Sequence, residues 1–237
     1  LIQTAPVQNL LVRQVAHILS SDLETEVTIR HVNFALFNSM LLEGTLVKDQ
    51  KKDTLLYAGL VRLNITDWFF FKENIELKYI RLEDAHIHLN RSDSIWNYHF
   101  IADYFSGPPK PAAEKKNISL NIRDLELENI HIVQRDEWRG EDLTAAIGSL
   151  SIEADSVDFN ARILRLRSIN LAKPSFTIFN YEGNRKRAPA AEEEEEYVND
   201  PLRLRWNTGG WDATIHSLDI ADGVFKTDAQ DNRDPHP

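Results

Sequence analysis

Apolar residues recur along the chain in a fixed frame of three-residue and two-residue steps. The frame is clearest in residues 77–89, where its apolar positions are Leu77, Ile80, Leu82, Ala85, Ile87 and Leu89. It starts again at Ile122, at Leu166 and, with a weaker end, at Ile215, which are intervals of 45, 44 and 49 residues. A period of this length is typical of repeat architectures, in which each unit buries its apolar face against its neighbours. We therefore predict a repeat protein.

Each copy of the frame contains a pair of residues between two alternating runs. These pairs are Glu83-Asp84, Glu128-Asn129, Ala172-Lys173 and Ala221-Asp222. Alternation with period two is typical of a β-strand, and a two-residue interruption has the length of a tight hairpin turn. Asn129 and Asp222 also tolerate a positive φ. The hairpin is one interpretation, and a bend within a continuous pair of strands is the alternative.

The amino-terminal residues follow a different period, which indicates a helix. Thr4 can cap it and Pro6 suits its first turn, and apolar residues then follow at helical spacing up to residues 20–22. We expect this amphipathic helix of about four turns to cover one end of a sheet, as terminal caps of repeat proteins do. A helix lying at a membrane surface is the alternative, but its polar face carries few Lys and Arg residues.

The chain divides by pattern and composition into six predicted segments. They are a cap helix at 1–22, a first β unit at 23–106, a proline-rich linker at 107–117, a second β unit at 118–187, an acidic linker at 188–200, and a partial third unit with a frayed end at 201–237. Within the first unit, Trp68 to Phe71 form an aromatic cluster that we expect to pack under the sheet, and 94–105 has helical spacing. The predicted fold class is mainly β: a curved antiparallel sheet of repeated units behind an amphipathic helix.

Charge and composition remove several classes of function. The 237 residues carry a net charge of −10, and an acidic surface repels nucleic acid, so we predict no nucleic-acid partner. There is no cysteine, which removes disulfides and thiolate chemistry. No apolar run approaches the roughly 18 residues of a membrane span. Because the first residue is Leu rather than Met, we expect the chain to be a piece of a longer protein, in which a span can precede Leu1.

Candidate catalytic and metal-binding residues are few. His86 and His88 are two residues apart on a predicted strand and share a face, which is compatible with metal ligation, but no third ligand stands at suitable spacing. Gly148-Ser149 lacks the second glycine of a nucleophile elbow, and no phosphate-binding or metalloprotease motif is present. We predict a protein that is not an enzyme and that uses no cofactor or metal.

A sheet with one apolar face must hide that face, and the two predicted helices are too short to cover three units. Two solutions remain open. The sheet folds onto itself as a closed sandwich or barrel, or it curves into a groove lined by apolar side chains. The occupant of such a groove must itself be apolar, and burial of one methylene is worth about 0.8 kcal/mol.

Several stretches resemble the amino-terminal region of the AsmA-like proteins, and among them the TamB type found in Bacteroidota. The resemblance rests on Pro6 to Leu10, Val27 to Ile29, Asp53 to Ala58 with the strand that follows, and above all Glu73 to Leu89, and it covers about residues 1–180. It implies a repeating β-groove behind a chorein-like cap, in a periplasmic protein anchored in the bacterial inner membrane by a helix that this chain lacks. It also implies roles in lipid transport, outer-membrane biogenesis and the translocation and assembly of secreted outer-membrane proteins.

Together, the pattern and the resemblance predict a lipid conduit. The partners would be phospholipid, the inner membrane and an outer-membrane barrel protein of the BamA/TamA type. The alternative is a non-enzymatic scaffold that acts through sheet-edge pairing during outer-membrane protein assembly. A closed β-sandwich or a solenoid that only spaces or binds other proteins is a third hypothesis. The predicted groove lining consists of Leu77, Ile80, Leu82, Ile87, Leu89, Leu125, Leu127, Ile130, Ile132, Leu166, Ile169, Leu171, Phe176 and Ile178.

Overall fold

Ten strands form one sheet in the computed structural model of the chain, which describes residues 5–35, 39–65, 74–106, 117–158, 161–185 and 210–229. In chain order the elements are α1 (Ala5–Asp22), β1 (Val27–Thr28), β2 (His31–Ala35), β3 (Ser39–Lys48), β4 (Thr54–Ile65), β5 (Asn74–Arg91), α2 (His99–Ser106), β6 (Asn117–Asp136), β7 (Glu141–Asp158), β8 (Ile163–Asn180), β9 (Asp212–Ala221) and β10 (Val224–Ala229). The sheet is curved and unclosed, which confirms a mainly β chain and makes the closed-sandwich hypothesis wrong.

Six long strands, β3 to β8, lie side by side in chain order. Each edge of this sheet is completed by two short strands that follow one another along the same neighbour. At one edge β1 and β2 both pair with β3, and at the other β9 and β10 both pair with β8. The gap between β1 and β2 is residues 29–30, and the gap between β9 and β10 is residues 222–223.

The sheet is mixed, so the prediction of an antiparallel sheet is wrong. β3, β4 and β5 form an antiparallel meander, and so do β6, β7 and β8. The two meanders meet through the parallel pair β5–β6, and β8 pairs in parallel with β9 and β10. The chain between β5 and β6 includes α2 and is long enough for the crossover that a parallel connection requires.

The recurring frame has a direct structural counterpart in the parallel pairs. Ile80, Leu82 and Ile87 lie opposite Leu125, Leu127 and Ile132, each 45 residues further on. The copies of the frame thus pair with each other side by side, whereas a hairpin would have folded each copy on itself. The hairpin interpretation is wrong, and the bend within a continuous strand is confirmed.

One residue in every long strand lies on a line that crosses the sheet at right angles to the strands, which we call the bend line. Its members are Gly44, Gly59, Asp84, Asn129, Gly148, Lys173 and Asp222, and the pairing registers place each opposite the next. Asp84, Asn129, Lys173 and Asp222 all have φ between 51° and 54°. Because every long strand is interrupted at this same line, the strands stay in register across it while the alternation of side chains shifts by one.

The bend line explains the three-residue step in the frame. Leu82 and Ala85 share a face because Asp84 adopts a left-handed conformation between them. In the middle strand of each meander the line has a glycine. A Cβ on Gly59 would lie 3.1 Å from the Asp84 Cβ, and one on Gly148 would lie 3.1 Å from the Ala172 carbonyl oxygen. The gaps between β1 and β2 and between β9 and β10 fall on the same line.

The core lies at the β1–β4 side of the sheet, where α1 packs against β1 and β2. Val15 of α1 is fully buried in one cluster with Val32, Leu42 and Val61. The predicted helix ends at residue 22 as expected, but its apolar residue Leu10 is 65% exposed. The second predicted helix is shorter than residues 94–105 and starts at His99. The aromatic cluster Trp68 to Phe71 and both predicted linkers lie outside the described residues, apart from Asn117, the first residue of β6.

Candidate functional site

Apolar side chains, most of them aliphatic, form rows that run across the sheet on one face, which we call the apolar face. Residues directly opposite each other on neighbouring strands have their side chains on the same face, so the pairing registers define each row. The central row is Val32, Leu42, Val61, Leu82, Leu127, Leu150, Leu171 and Ile220. The row beside it is Met40, Leu63, Ile80, Leu125, Ile152, Ile169 and Leu218. Beyond the bend line, a third row is Val47, Leu56, Ile87, Ile132, Ala145, Phe176 and Phe225.

The fourteen residues predicted to line a groove all lie on the apolar face. Nine belong to the three rows above: Ile80, Leu82, Ile87, Leu125, Leu127, Ile132, Ile169, Leu171 and Phe176. Leu89 and Ile178 share a further row through Leu143, and Ile130 lies beside Ile147. Leu166 lies between Ala154 and Ile215, and Leu77 packs against the core cluster. Twelve are half-buried, while Ile130 and Leu166 are buried.

Sequence reasoning missed the contribution of three strands to this face. Leu42 of β3, Val61 of β4 and Leu150 of β7 lie in the central row, yet the 45-residue frame falls only on β5, β6, β8 and β9–β10. A signal was available for β7, because its apolar residues alternate over Leu150, Ile152 and Ala154. The middle strand of each meander, β4 or β7, runs the opposite way, so its pattern reads in reverse and a forward repeat does not detect it.

The opposite face of the sheet is polar and carries an ion-pair network centred on Arg81. Its guanidinium donates to Glu83 Oε1 at 2.6 Å, to Glu126 Oε2 at 2.9 Å and to Glu128 Oε2 at 2.6 Å. Tyr79 Oη also donates to Glu126 Oε2, at 3.0 Å. Burial and this hydrogen bond raise the pKa of Tyr79. Burial opposes the charge of Arg81, but its hydrogen bonds to Glu126 and Glu83 outweigh that effect and raise its pKa.

The candidate metal ligand His86 stacks on His131 of the neighbouring strand, with ring centroids 5.2 Å apart and the planes 13° from parallel. This contact follows from the parallel register, which places the two histidines directly opposite each other. No group of three or more His, Asp or Glu residues suited to a metal ion occurs in the described part of the chain.

The apolar face ends at one side in a buried ion pair. Arg91 continues the alternation of Ala85, Ile87 and Leu89, and it lies opposite Asp136. Arg91 Nε donates to Asp136 Oδ1 at 2.9 Å, and the second guanidinium nitrogen Nη2 donates to Oδ2. Asp136 is 1% exposed. Burial alone would raise the pKa of this carboxyl, but hydrogen bonds from Arg91 and from the Arg139 backbone N–H lower it below its usual range.

A second buried carboxylate orders the neighbouring turn. Asp49 Oδ1 accepts hydrogen bonds from the backbone N–H groups of Lys51 and Asp53, at 2.8 and 2.9 Å. Asn97 donates from Nδ2 to Asp49 Oδ2 at 3.2 Å, and its Oδ1 accepts the Asn90 backbone N–H at 2.9 Å. These contacts tie the β3–β4 turn to the end of β5. They were not predicted, because residues 49 and 97 are 48 positions apart and nothing in the sequence connects them.

Comparison with protein-family models and with curated protein sequences finds no match for this chain. Among the described helices, none is long and apolar enough to cross a membrane. The arrangement available for function is therefore physical: a broad aliphatic surface on one side of a curved sheet, a charged surface on the other, and an ordered polar boundary at the Arg91 end.

Proposed function

We propose that this chain is a periplasmic segment of an inner-membrane-anchored, bridge-like protein of the AsmA-like, TamB type, and that its apolar face carries phospholipid acyl chains toward the outer membrane. One observation supports the proposal above all others. Rows of aliphatic side chains cross every long strand of a curved, unclosed sheet and remain half-buried over β5 to β8. A face of this kind in water favours an apolar occupant.

The energetic argument concerns competition with a bilayer. Each methylene that leaves water contributes about 0.8 kcal/mol, so an acyl chain of about 16 carbons gains roughly 10 kcal/mol on an apolar surface. A protein groove must offer a similar gain to accept a lipid from a membrane. The repeated rows provide aliphatic contacts along the whole width of the sheet, and the curvature allows several strands to contact one chain.

The amino-terminal helix would act as the cap of this groove. Its buried Val15, with the half-buried Ile18 and Leu19, packs with the apolar rows at the β1–β4 side. There the helix occupies the position that lipid would take further along the sheet. This placement is consistent with lipid travelling along the β5–β10 side.

Lipid extraction provides the first test. The purified chain, expressed in a bacterium and washed free of detergent, should yield co-purified phospholipid in an organic extract analysed by mass spectrometry. A folded protein that carries no lipid, and that takes up none from vesicles of palmitoyl-oleoyl phospholipids, contradicts the proposal.

A matched pair of variants locates the lipid on one face. Leu171→Asp or Leu127→Asp places a charge among the aliphatic rows and should reduce bound phospholipid at least about fivefold, because a carboxylate in an apolar site is strongly unfavourable. Asn170→Asp introduces the same carboxylate on the opposite face, one residue away, and should leave lipid content unchanged. Equal losses in Leu171→Asp and Asn170→Asp contradict a lipid site on the apolar face.

Scaffolding of outer-membrane protein assembly is the second candidate function, and the outer edge of β9 and β10 favours it. Every residue of these two strands is exposed, and their outer edge has no strand partner among the described residues. An edge of this kind can accept an added strand. A proline at an outward-facing amide of β9 should then abolish binding of a strand peptide, whereas Leu171→Asp should not.

A further inference from the structure

A cleft of about 670 Å³ lies at the Arg91 end of the apolar face. The β3–β4 turn, the end of β5, α2 with the segment before it, and the end of β6 form its walls. Asp49 and Asn97 fix the turn to β5 through the hydrogen bonds described above, so the walls are ordered by contacts that do not depend on a ligand. The cleft lies outside the three rows of the apolar face, and no residue of those rows lines it.

The cleft is continuous with the apolar face. Alternation places Ala85, Ile87, Leu89 and Arg91 on that face, and Arg91 is also part of the cleft wall. The Arg91 guanidinium carbon lies 4.5 Å from the centroid of the Trp96 ring, which lines the same cleft. An amphiphile whose apolar chains follow the strands of this face would therefore place its polar end in the cleft.

Negative charges outnumber positive charges in the cleft. Five carboxylates line it against three cationic side chains, and one of the three, Arg91, is already neutralised by Asp136. Asp53 and Glu137 make no ion pair within the described residues, and both lie in the wall. Lys51 and Arg135 are the exposed cationic groups of the cleft. The surplus of carboxylates favours a ligand that carries a cationic group, and Lys51 and Arg135 can accept its anionic part.

We infer that this cleft binds the zwitterionic headgroup of an amine-bearing phospholipid, with the ammonium held by Asp53 and Glu137 and the phosphate by Lys51 and Arg135. The inference rests on the proposed function, because it assigns the headgroup of a lipid whose chains lie on the apolar face. Phe100 adds an aromatic surface to the same wall, and aromatic rings attract ammonium groups. A headgroup without an amine would bring only negative charge to an already acidic site.

A competition between two lipids tests the inference. The full chain is incubated with vesicles of equal parts palmitoyl-oleoyl phosphatidylethanolamine and palmitoyl-oleoyl phosphatidylglycerol, re-isolated and extracted, and the bound ratio is measured by mass spectrometry. The acyl chains are identical, so any preference arises from the headgroup. We expect phosphatidylethanolamine to be enriched about fivefold, since a partly exposed ion pair changes an equilibrium constant by roughly that factor.

A double variant, Asp53→Asn with Glu137→Gln, removes the two carboxylates and should bring the bound ratio close to one without lowering total bound lipid. The matched control, Asp124→Asn with Glu182→Gln, removes two exposed carboxylates outside the cleft and should keep the preference. Circular dichroism checks that both variants fold. If the first variant is unfolded, soluble phosphorylethanolamine added to the unchanged protein must still lower the enrichment, whereas glycerol phosphate must not.

The outcomes separate the two proposals. Bound lipid without a preference in the unchanged protein overturns the headgroup site and leaves the conduit proposal standing. A preference that survives in the folded double variant, or that soluble phosphorylethanolamine does not lower, also overturns the headgroup site. Absence of bound lipid overturns the conduit proposal, and the headgroup site with it.

Discussion

The rows of the apolar face run from the β1–β4 side of the sheet to the β9–β10 side, and their two ends are buried to very different extents. In the central row Val32 and Leu42 are 1% and 2% exposed, whereas Ile220 at the other end of the row is 58% exposed. The residue types do not explain this contrast, because all three are aliphatic. The difference is the cover: α1 packs over the β1–β4 side, and nothing among the described residues packs over β9 and β10.

The comparison separates two properties that a sequence pattern does not distinguish, which are the face that a residue occupies and the extent of its burial. The alternation of apolar residues determines which face of a strand they occupy, and it does so equally on both sides of the sheet. Burial depends on whether another element packs on that face. On the covered side, the row containing Thr45, Ala58 and Ala85 uses small side chains, and α1 adds the fully buried Val15. Mutations that are chemically alike should therefore have different effects on the two sides.

The largest expected effect on stability is the loss of a buried ion pair, which we compare with the loss of an exposed one. Arg91 and Asp136 are almost fully buried, whereas Arg167 and Asp155 are about half exposed. Asp136→Asn should lower the free energy of unfolding by about 3 kcal/mol at pH 7, because it leaves a buried guanidinium without its counter-ion. Asp155→Asn should lower it much less, since water screens an exposed pair. Urea unfolding of both variants measures the difference.

The effect of Asp136 should depend on pH in a defined direction. The folded-state pKa of this carboxyl is lowered from its ordinary value of 3.8, so its contribution to stability is complete above that value and is lost as the pH falls through the lowered pKa. The difference in the free energy of unfolding between the unchanged protein and Asp136→Asn should be constant from pH 7 to pH 5 and should narrow below pH 3.8. A gap that widens on acidification contradicts this account.

A truncation within one row tests the role of the cover itself. Leu42→Ala should cost about 3 kcal/mol, because the site is buried and a cavity would remain. Ile220→Ala removes a side chain of similar size from the exposed end and should cost less than about 1 kcal/mol. Chemical denaturation of both variants gives the comparison. Equal losses would mean that the β9–β10 side is covered in solution.

The smallest effect concerns the bend line, which crosses both sides. Asn129 has φ of 53°, where a β-branched residue is strained, so Asn129→Val should cost about 1 to 2 kcal/mol more than Asn129→Gly. Both variants lose the hydrogen bond to Asp84, so their difference isolates the backbone effect. Asp222→Val has the same φ problem at the exposed edge, where the strand can detach locally, and thermal unfolding should show a smaller shift.

The sequence predicted the elements of the fold better than their connections. The apolar frame correctly located β5, β6, β8 and β9–β10, and Asn129 and Asp222, named from the sequence as tolerating a positive φ, both have one. It could not distinguish a hairpin from a bend, because both need a positive φ between two alternating runs. The deciding factor is whether each copy pairs with itself or with the next copy, which is a long-range property absent from any local pattern.

The candidate site, like the fold, was predicted only in part from the sequence. All fourteen predicted lining residues share one face because alternation is local and every strand shifts it by one residue at the same bend line. The cleft was missed because it depends on tertiary contacts such as Asn97 with Asp49 and Arg91 with Asp136. Buried charges stay hidden in a sequence, since a charged residue among polar neighbours gives no sign that it is desolvated.

The parallel register between β5 and β6 restricts how the two copies can diverge. Copies that pair side by side bring each residue opposite its own counterpart. A charge present in both copies would therefore be repelled by its counterpart. Glu83 and Glu128 form such a pair, and Arg81 contacts both, while its own counterpart on β6 is Glu126. A cation at position 126 would lie directly opposite Arg81 and repel it, and it would remove one of the carboxylates that Arg81 binds. A substitution in one copy of the frame therefore acts directly on the position 45 residues further on.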